Sequence, residues 1–494
     1  MNFAQIIERY AQVSPQQVAL HAAGEDISYS ALWQRIQRAT GVLVEAGLQP
    51  GDRVAWLGFN DPAMLVLLFA LMRVGAVLLP MNYRLAGTEH AAILRHAGVR
   101  LLVTDAALAD AAIALSAQAG CALLHAHELG ADSASIKPPI FNGDTAAPAL
   151  LVYTSGTSGQ PKGVLHTESG LMWNCVIACH AQELKQVDHV LSALPMFHMG
   201  GLCIQTLPAL HAGAKVTLHP RFEAVEWLTD VAERRPTLSL MVPATLRAVL
   251  EHPDFAKTDL SSLKLLVAGS STIAPSMIAA IHARGIPLGQ VYGATETGPV
   301  SIYLRREEAM QHAGSAGRAG IHIDVQLVKD TGEVAAIGEV GEVWVRGPNL
   351  LQGYWADPSN PAFADGWFHT GDLARRDEAG FYEIVGRLKD MIISGGENVY
   401  PAEIENLLAD CPQIAEAAVV GQPDARWGEV VVAVVVLVHG AQFDTANVMQ
   451  LFEGRLARFK HPKHVVFCNA LPKTALGKVQ KTGLLAAIAA ITNQ

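Results

Sequence analysis

Apolar runs of strand length alternate with longer amphipathic stretches over most of this 494-residue chain. Residues 53–57 and 101–103 are predicted strands, and residues 63–74 and 88–96 between them are predicted helices. This rhythm is typical of helices packed against largely parallel sheets, because parallel neighbours must be joined by a crossover that is usually a helix. We therefore predict an α/β fold up to about residue 385. Further predicted strands are 149–153, 264–267 and 342–345.

The pattern changes after residue 386. A short charged joint at 387–390 leads into about a hundred residues with a pattern of their own. The valine-rich run at 430–438 is too short to cross a bilayer and is predicted to be a buried strand. The sequence thus predicts a large N-terminal domain at 1–386, with helices on mostly parallel sheets, and a small mobile C-terminal α+β domain at 391–494.

Composition limits the functions open to such a chain. Half of the residues are hydrophobic and 17% are charged, which indicates a well-buried globular protein and not a disordered one. Lysine and arginine number 36 against 46 acidic residues, so the formal net charge is −10 and a chain-wide basic surface for nucleic acid is excluded. Any anionic ligand must therefore find local positive charge.

Targeting signals and cysteine usage bear on the compartment. The six cysteines are scattered, without CxxC pairs, which favours a reducing compartment. The start of the chain lacks a basic stretch followed by an apolar one, so we expect no secretory signal. The most membrane-like stretch, residues 62–80, contains Arg73 and Gly75 and is predicted to be a buried helix running into a strand. We expect a cytoplasmic protein without a membrane span.

A loop rich in glycine and hydroxyl groups follows the predicted strand at 149–153. Its sequence, YTSGTSGQPKG at 153–163, suits a polyphosphate: glycine lets backbone N–H groups approach oxygen atoms, hydroxyls donate without bulk, and Lys162 offsets negative charge. It is not a Walker loop, because Pro161 precedes the lysine and Gly163 follows it. Taken alone, such a turn is as compatible with an ordinary surface loop as with a phosphate site.

Four more blocks stand in order behind this loop: YGATET at 292–297, WFHTGD at 367–372, GRLKDMIISGGENVYP at 386–401 and LPKTALGK at 471–478. Together the five blocks resemble the adenylate-forming superfamily, which comprises acyl- and aryl-CoA synthetases, adenylation domains and luciferases. The resemblance extends over nearly the whole chain. It implies an AMP-forming acid–CoA ligase with ATP, Mg²⁺ and the co-substrate CoA.

The implied chemistry has two steps. A carboxylate has no good leaving group for attack by a thiol, so it is first converted to an acyl-adenylate with release of pyrophosphate. Catalysis of this step is mostly positioning of the two anions and neutralisation of charge on the phosphoryl oxygens. The acyl group is then transferred to CoA, which gives a thioester and AMP.

The resemblance also assigns a nucleotide site in the N-terminal domain. Glu296 is implied to bind Mg²⁺, since this hard cation needs only one or two carboxylates besides the phosphates. Tyr292 is expected to lie against the adenine, Asp372 to accept hydrogen bonds from the ribose hydroxyls and Arg387 to reach the ribose or the phosphates. The other implied nucleotide-binding residues are Thr154, Ser155, Gly156, Thr157, Ser158, Gly159, Lys162, Gly293, Ala294 and Thr295.

The C-terminal domain is implied to supply the catalytic lysine and the CoA contacts. Lys478 would bridge the acid carboxylate and the α-phosphate, and would then leave as the domain rotates about Lys389. The residues implied to contact CoA are Gly395, Gly396, Glu397, Trp427, Phe459 and Lys463. An alternative for Trp427 is a role in domain packing alone, and His461 departs from the arginine that some relatives carry.

The segment LPMFHMGG at 194–201 resembles the family segment beside the substrate carboxyl. We expect His198 to orient that carboxyl or to gate the pocket, against the alternative of a core histidine. Amino-acid-activating domains commonly carry an aspartate here, so His198 favours a simple acid. Residues 268–273, AGSSTI, depart from the glycine-glycine-alanine form frequent at this pocket wall, which leaves aromatic and medium-chain acids equally open. The sequence shows no long charged pocket, which disfavours dicarboxylates without excluding them.

Three functions are weighed. The leading prediction is a free-standing acid–CoA ligase whose partners are a small carboxylic acid, ATP and CoA, with no nucleic acid; a homodimer stays open. The second is adenylation for a separate carrier protein, which a titration with CoA would discriminate. The third is a non-catalytic binder with a relict fold, which the presence of Lys478, Glu296 and Asp372 argues against.

Overall fold

The structure is a computed structural model that describes residues 3–131, 145–154, 162–269, 273–357, 362–395, 397–424, 426–473, 479–481 and 483–484. Its α-helices are α1 (Ala4–Val13), α2 (Tyr29–Glu45), α3 (Pro62–Val74), α4 (Gly87–Ala97), α5 (Ala109–Ala119), α6 (Glu168–Gln182), α7 (Met199–Gly201), α8 (Leu207–Ala212), α9 (Ala224–Arg234), α10 (Pro243–Leu250), α11 (Pro275–His282), α12 (Arg306–Ala309), α13 (Pro401–Ala409) and α14 (Thr445–Gln450).

Two sheets of mostly parallel strands form the body of the N-terminal domain. Strands β1 to β15 are β1 (Val18–Ala22), β2 (Glu25–Ser28), β3 (Arg53–Leu57), β4 (Val77–Pro80), β5 (Leu101–Thr104), β6 (Ala122–His125), β7 (Pro148–Thr154), β8 (Lys162–Thr167), β9 (His189–Ser192), β10 (Lys215–Leu218), β11 (Leu238–Met241), β12 (Leu265–Gly269), β13 (Leu288–Tyr292), β14 (Ile302–Tyr303) and β15 (Arg318–Ala319). One sheet has the order β8-β7-β4-β3-β5-β6, and the other β15-β14-β13-β12-β11-β9-β10-β1-β2. The α/β prediction is confirmed for this part of the chain.

Helix α3 shows why the most apolar stretch folds as predicted. The Asp61 side chain caps its start by accepting from the Ala63 backbone N–H at 2.7 Å, Pro62 occupies its first turn, and Gly75 ends it in the left-handed conformation at φ 80°. The chain then enters β4, whose residues are all buried. Among the described residues, we find no helix with the length and apolar character that crossing a membrane requires.

A third sheet completes the N-terminal domain. It differs from the expected alternation of helices and parallel strands. Its strands are β16 (Asp324–Val328), β17 (Val340–Arg346), β19 (Phe363–Ala364), β20 (Trp367–Arg376) and β21 (Tyr382–Arg387), while β18 (Gly353–Tyr354) extends the first sheet beyond β8. All pairs in the third sheet are antiparallel. Buried and partly buried residues alternate along β17, the pattern of a strand buried on one face only.

The C-terminal region has its own sheet and its own apolar core. The strands are β22 (Ile392–Ser394), β23 (Glu397–Val399), β24 (Ile414–Asp424), β25 (Gly428–Leu437) and β26 (His464–Phe467). β25 is the predicted valine strand and lies between β24 and β26. Helix α13 packs on β24, so this region is the α+β unit that the sequence predicts.

Candidate functional site

Three predicted nucleotide-binding residues meet where β13, β20 and β21 come together. The carboxylate of Asp372 accepts a hydrogen bond from the Tyr292 hydroxyl at 2.9 Å through Oδ2 and one from Arg387 Nε at 2.8 Å through Oδ1. Register explains the second contact, because Asp372 and Arg387 are cross-strand partners of β20 and β21. Each carboxylate oxygen keeps a further lone pair, so the aspartate can still accept from a vicinal diol.

Charge and burial keep this cluster in a defined protonation state. Burial, followed by the nearby Asp372 charge, raises the pKa of Tyr292 well above its usual value, so the hydroxyl stays a donor. Burial works to lower the pKa of Arg387, but the Asp372 carboxylate and its hydrogen bond outweigh that effect, and the net shift is upward. The cluster is therefore a fixed arrangement of donors around one carboxylate.

A cleft of about 240 Å³ opens beside this cluster. It is lined by Thr370, Gly371, Arg387, Leu388 and Lys389, so the predicted ribose segment and the predicted hinge share one wall. Gly371 has φ 70°, a left-handed conformation that a residue with a side chain would adopt only under strain.

The predicted metal ligand Glu296 is held by a residue that the sequence analysis did not single out. Its Oε1 accepts a hydrogen bond from the Tyr354 hydroxyl at 3.1 Å, and its backbone carbonyl accepts from the Leu351 N–H at 2.8 Å. The ammonium of Lys162 lies 5.3 Å from the centre of the Tyr354 ring. Tyr354 therefore joins the predicted phosphate-binding lysine to the predicted Mg²⁺ ligand.

Strand pairing and a buried histidine position this group of lysine, tyrosine and glutamate. Tyr354 is paired with Val164, so β18 lies beside the strand that Lys162 begins. The carbonyl of Thr295 accepts from Nε2 of the buried His166 at 2.8 Å, and burial lowers the pKa of His166 to about 4, so this ring is neutral at neutral pH. Gly293 allows the close approach of the chain, because a Cβ there would lie 1.9 Å from the Pro299 carbonyl oxygen.

The donor set around Glu296 fits Mg²⁺ carried by a triphosphate. Within the described ranges, no group of three or more His, Cys, Asp or Glu side chains is arranged to hold a metal ion. A single carboxylate near the Lys162 ammonium suits Mg²⁺, because this ion keeps several bound waters and takes its other ligands from phosphate oxygens. In that arrangement Glu296 would hold the ion, and Lys162 would stay beside the phosphates.

The glycine loop is described only at its ends. Thr154 and Lys162 are partners across β7 and β8, so the loop begins and ends at one point of the sheet, next to Tyr354. The predicted phosphate contacts Ser155, Gly156, Thr157, Ser158 and Gly159 lie outside the described residues.

His198 lies at the end of a row of aromatic rings. Its ring centre is 4.3 Å from that of Phe197, which in turn packs at 5.2 Å against Tyr83. Burial, and then the charge of Arg84, lowers the pKa of His198 to about 3, so the imidazole is neutral in physiological conditions. Its Nε2 is buried, and no described residue forms a hydrogen bond with it. The ring is thus available to a substrate carboxyl.

A second residue that sequence reasoning missed, Asn60, holds the segment before His198. Its Oδ1 accepts from the Met196 N–H at 2.8 Å, and its Nδ2 donates at 3.0 Å to the carbonyls of both Leu194 and His219. Asn60 follows β3 in a polar loop, and an asparagine just after a buried parallel strand was the available signal.

Three of the predicted CoA residues, Gly395, Trp427 and Lys463, lie together in a cationic and aromatic patch of the small domain. Trp427 is 40% exposed, with the Arg426 guanidinium carbon 5.1 Å and the Lys463 ammonium 5.6 Å from its ring. The backbone N–H of Gly395 donates to the Trp427 carbonyl at 2.8 Å, and a Cβ on this glycine would lie 2.8 Å from the indole. The hairpin of β22 and β23 is thereby held against the tryptophan.

The remaining predicted residues of this domain are placed as follows. Glu397 is exposed at the start of β23, and Phe459 is 43% exposed beside Lys460. His461 is buried, and its Nε2 donates to the Leu456 carbonyl at 3.1 Å, so it supports the fold in this structure. Gly396 and the predicted catalytic Lys478 lie outside the described residues.

The two domains are in contact at two points. The Arg247 side chain on α10 donates to the Ala415 carbonyl in β24, and α13 packs against β21. Lys473, near the predicted catalytic lysine along the chain, pairs with Glu416 of its own domain.

Comparison with known proteins gives one family match to the large N-terminal part of the chain and another to the C-terminal part. Residues 7–355 match the family described as AMP-binding enzyme, and residues 403–478 match the AMP-binding enzyme C-terminal domain. The chain is 43% identical to indoleacetate–CoA ligase of Aromatoleum aromaticum, with 97% of each chain covered, and 40% identical to a feruloyl-CoA synthase of an Amycolatopsis species, with 96% of each covered. Among solved structures, o-succinylbenzoate CoA synthetase from Bacillus subtilis with its acyl-adenylate intermediate is similar, with a TM-score of 0.89, 30% identity and 97% of each chain covered.

Proposed function

The chain belongs to the family of AMP-binding enzymes and is an acid–CoA ligase, and on that premise we propose that its acid is aromatic. Two relatives that match nearly its whole length are named for indoleacetate and for a feruloyl product, and each of these names denotes an aromatic acid. The observation that supports the activity is the presence of two carboxylate sites, Asp372 with Tyr292 and Arg387, and Glu296 with Tyr354.

In the first step, we assign the binding of ATP to the large domain. Asp372 accepts from the ribose hydroxyls, Arg387 lies beside the sugar and phosphates, and Lys162 neutralises phosphate charge. Glu296 would hold Mg²⁺, which offsets charge on the phosphate oxygens. An acid carboxylate oxygen, oriented by His198, attacks the α-phosphorus; the bond from that phosphorus to the bridging oxygen breaks, and pyrophosphate leaves. Lys478 stabilises the charge that develops between the two anions.

In the second step, the CoA thiol gives up its proton to solvent and the sulfur attacks the carbonyl carbon of the acyl-adenylate. The bond between that carbon and the AMP oxygen breaks, and AMP leaves with the electron pair. Trp427, Phe459 and Lys463 supply a ring surface and a cation for the nucleotide part of CoA, while Gly395, Gly396 and Glu397 approach the thiol arm. Rotation of the domain 391–494 about Lys389 exchanges the two sets of contacts.

The test is a screen for pyrophosphate release, with thioester formation followed separately. Indole-3-acetate, phenylacetate, benzoate, cinnamates and fatty acids of graded length are offered with ATP and Mg²⁺, with and without CoA. We expect aromatic acids to give pyrophosphate and, with CoA, the matching thioester, and the Asp372→Ala variant to lose both. Pyrophosphate without any thioester would instead indicate a carrier-protein acceptor, and a preference for fatty acids would contradict the aromatic assignment.

Two further properties belong to this proposal. The cytoplasm holds the ATP and CoA that the reaction consumes, so we place the enzyme there; cell fractionation tests this. A homodimer is the proposed oligomer, and light scattering of the purified protein decides between it and a monomer.

A further inference from the structure

Strand β20 bulges beside the cleft, where it runs along β17. His369 is paired with Trp344 across the two strands. The next pair is Leu373 with Glu342, so residues 370–372 of β20 lie opposite a single residue of β17. Bulges bend a strand and often redirect a side chain beside an active site. The first two residues of this bulge line the cleft, and the third is the predicted ribose-binding aspartate.

Side chains form hydrogen bonds with the backbone of this bulge. The backbone N–H of Gly371 donates to Oε1 of Glu342 at 2.9 Å. The Thr370 hydroxyl donates to the Val343 carbonyl at 2.8 Å and accepts from the Asp372 N–H at 3.0 Å. Glu342 therefore holds, from the neighbouring strand, the residue that directly precedes the aspartate.

The Glu342 carboxylate is itself fixed by an indole. Its Oε2 accepts a hydrogen bond from Nε1 of Trp344 at 2.9 Å. That indole stacks on the ring of His369, with ring centres 3.8 Å apart and planes at 10°. Because His369 directly precedes the bulge, these contacts form a closed set across β17 and β20. A carboxylate whose two oxygens both accept has its direction set, so the Gly371 N–H has a fixed partner.

The backbone conformation at Gly371 determines where the Asp372 carboxylate lies. That carboxylate meets the Tyr292 hydroxyl and the Arg387 guanidinium at once, and both of these come from other strands. Glycine has access to conformations with positive and negative φ, so the turn needs a contact that selects the observed φ of 70°. The Glu342 carboxylate supplies that contact. Because a shift of about 1 Å in a positioned group can lower a rate severely, this contact can control the use of the nucleotide.

We propose that Glu342 is a positioning residue for the nucleotide: by holding the Gly371 N–H, it directs the Asp372 carboxylate to the two ribose hydroxyls. The inference rests on the proposed function, because it needs Asp372 to bind the ribose. It predicts a specific defect. Loss of Glu342 weakens the discrimination between a ribonucleotide and a nucleotide without the diol, since only the ribonucleotide uses the aspartate. General damage to the fold would lower the use of both nucleotides equally.

The test compares ATP with 2′,3′-dideoxy-ATP in acid-dependent pyrophosphate release. For the parent enzyme we expect kcat/KM to favour ATP about a hundredfold or more, because two hydrogen bonds to a charged acceptor are lost with the diol. In Glu342→Ala the ratio should fall to about tenfold or less. The fall should come from ATP, while kcat/KM for the dideoxy nucleotide stays nearly the same. Dissociation constants of AMP and 2′,3′-dideoxy-AMP, measured by titration calorimetry, give the same comparison without turnover, and thermal midpoints show whether the variant is folded.

Two further variants sharpen the comparison. Glu342→Gln keeps an oxygen for the Gly371 N–H, so it should stay within about threefold of the parent ratio. The matched control is Asp324→Ala, which removes another carboxylate of the same sheet. Asp324 pairs with Arg346 at the other end of β17, and its loss should leave the ratio unchanged.

The outcomes separate this inference from the function on which it rests. A parent ratio kept by Glu342→Ala, or equal losses for the two nucleotides in that variant, would overturn the role of Glu342 and leave Asp372 at the ribose. A ratio in Glu342→Gln as low as in Glu342→Ala would also overturn it, because the acceptor would then not be what matters. If the parent enzyme uses both nucleotides equally, the ribose role of Asp372 itself fails, and the role of Glu342 fails with it.

Discussion

At the scale of single residues, each candidate carboxylate is held by a tyrosine hydroxyl. Tyr292 donates to Asp372 and Tyr354 donates to Glu296. Burial is the main cause that raises the pKa of both tyrosines, so both remain protonated donors at physiological pH. A hydrogen bond to a carboxylate fixes its direction as well as its charge, which is what binding a sugar or a cation requires.

The Tyr354→Phe variant tests the role of the tyrosine hydroxyl at the predicted Mg²⁺ site. The ring that faces Lys162 remains, but the donor to Glu296 is lost, so we expect the Mg²⁺ concentration for half-maximal pyrophosphate release to rise about tenfold. Binding of Mn²⁺ with ATP, followed by electron paramagnetic resonance, gives a readout that does not depend on turnover. The control Tyr382→Phe removes a hydroxyl that donates weakly to the Val325 carbonyl at 3.5 Å and should leave the metal dependence as it is. A weaker affinity for ATP at every Mg²⁺ concentration would instead assign Tyr354 to the nucleotide.

His166 gives a prediction about pH and stability. Its native pKa of about 4 lies below the usual 6.5 because it is buried, so protons bind more tightly to the unfolded chain. The stability that the neutral His166 ring contributes is therefore fully present above pH 6.5. It is lost as the pH falls toward 4, at about 1.4 kcal/mol per pH unit. We expect His166→Gln to lose about 2 kcal/mol less than the parent between pH 6.5 and 5.0 in urea unfolding. The exposed His439→Gln serves as control, and equal acid losses in His166→Gln and the parent would contradict the account.

At the scale of elements, the spacing of apolar residues predicted those helices and strands whose buried positions follow the same spacing. The predicted helix at 63–74 is α3, and the predicted strand at 430–438 is β25 within one or two residues. In the antiparallel sheet of β16, β17, β19, β20 and β21, the strand predicted at 342–345 is β17. Its neighbours were not predicted, because short strands joined by turns look like loops between helices when only apolar runs are read. Tyr354 was missed for a related reason, because its partner Glu296 is 58 residues away and no local pattern encodes that contact. Asn60 bonds Met196, 136 residues away, and its only local signal was its place just after β3.

The hairpin of β22 and β23 leads to a prediction about CoA binding. Because Gly395 is in the left-handed region at φ 63° and touches the indole, hairpin and Trp427 form one surface. We expect Trp427→Ala to raise KM for CoA about tenfold and to leave acid-dependent exchange between pyrophosphate and ATP nearly unchanged. Phe467→Ala, another exposed aromatic of the small domain, is the control that should affect neither. Loss of exchange in Trp427→Ala would reassign this residue to domain packing.

At the scale of the whole molecule, two domains with separate cores are joined by the 387–390 segment, and this segment also lines the cleft. A change in the angle at Lys389 would therefore move the small domain while the Asp372 cluster stays on the large one. The contact of Arg247 with Ala415 is a single hydrogen bond to a backbone carbonyl, so this link can break at low cost. Such an arrangement allows one cleft to serve two reactions in turn.

Lys478→Ala tests the division of labour between the two reactions. If the lysine acts only while the acyl-adenylate forms, its loss should slow pyrophosphate release by about 10²- to 10³-fold, as for other electrostatic contacts made in a transition state. Thioester formation from a supplied acyl-adenylate and CoA should keep its parent rate, because the lysine would have left the cleft by then. Lys473→Ala removes a lysine close by in sequence that is paired with Glu416, and it should leave both rates unchanged. Equal losses in the two half-reactions of Lys478→Ala would mean that the small domain presents the same face throughout, and rotation about Lys389 would then have no role in catalysis.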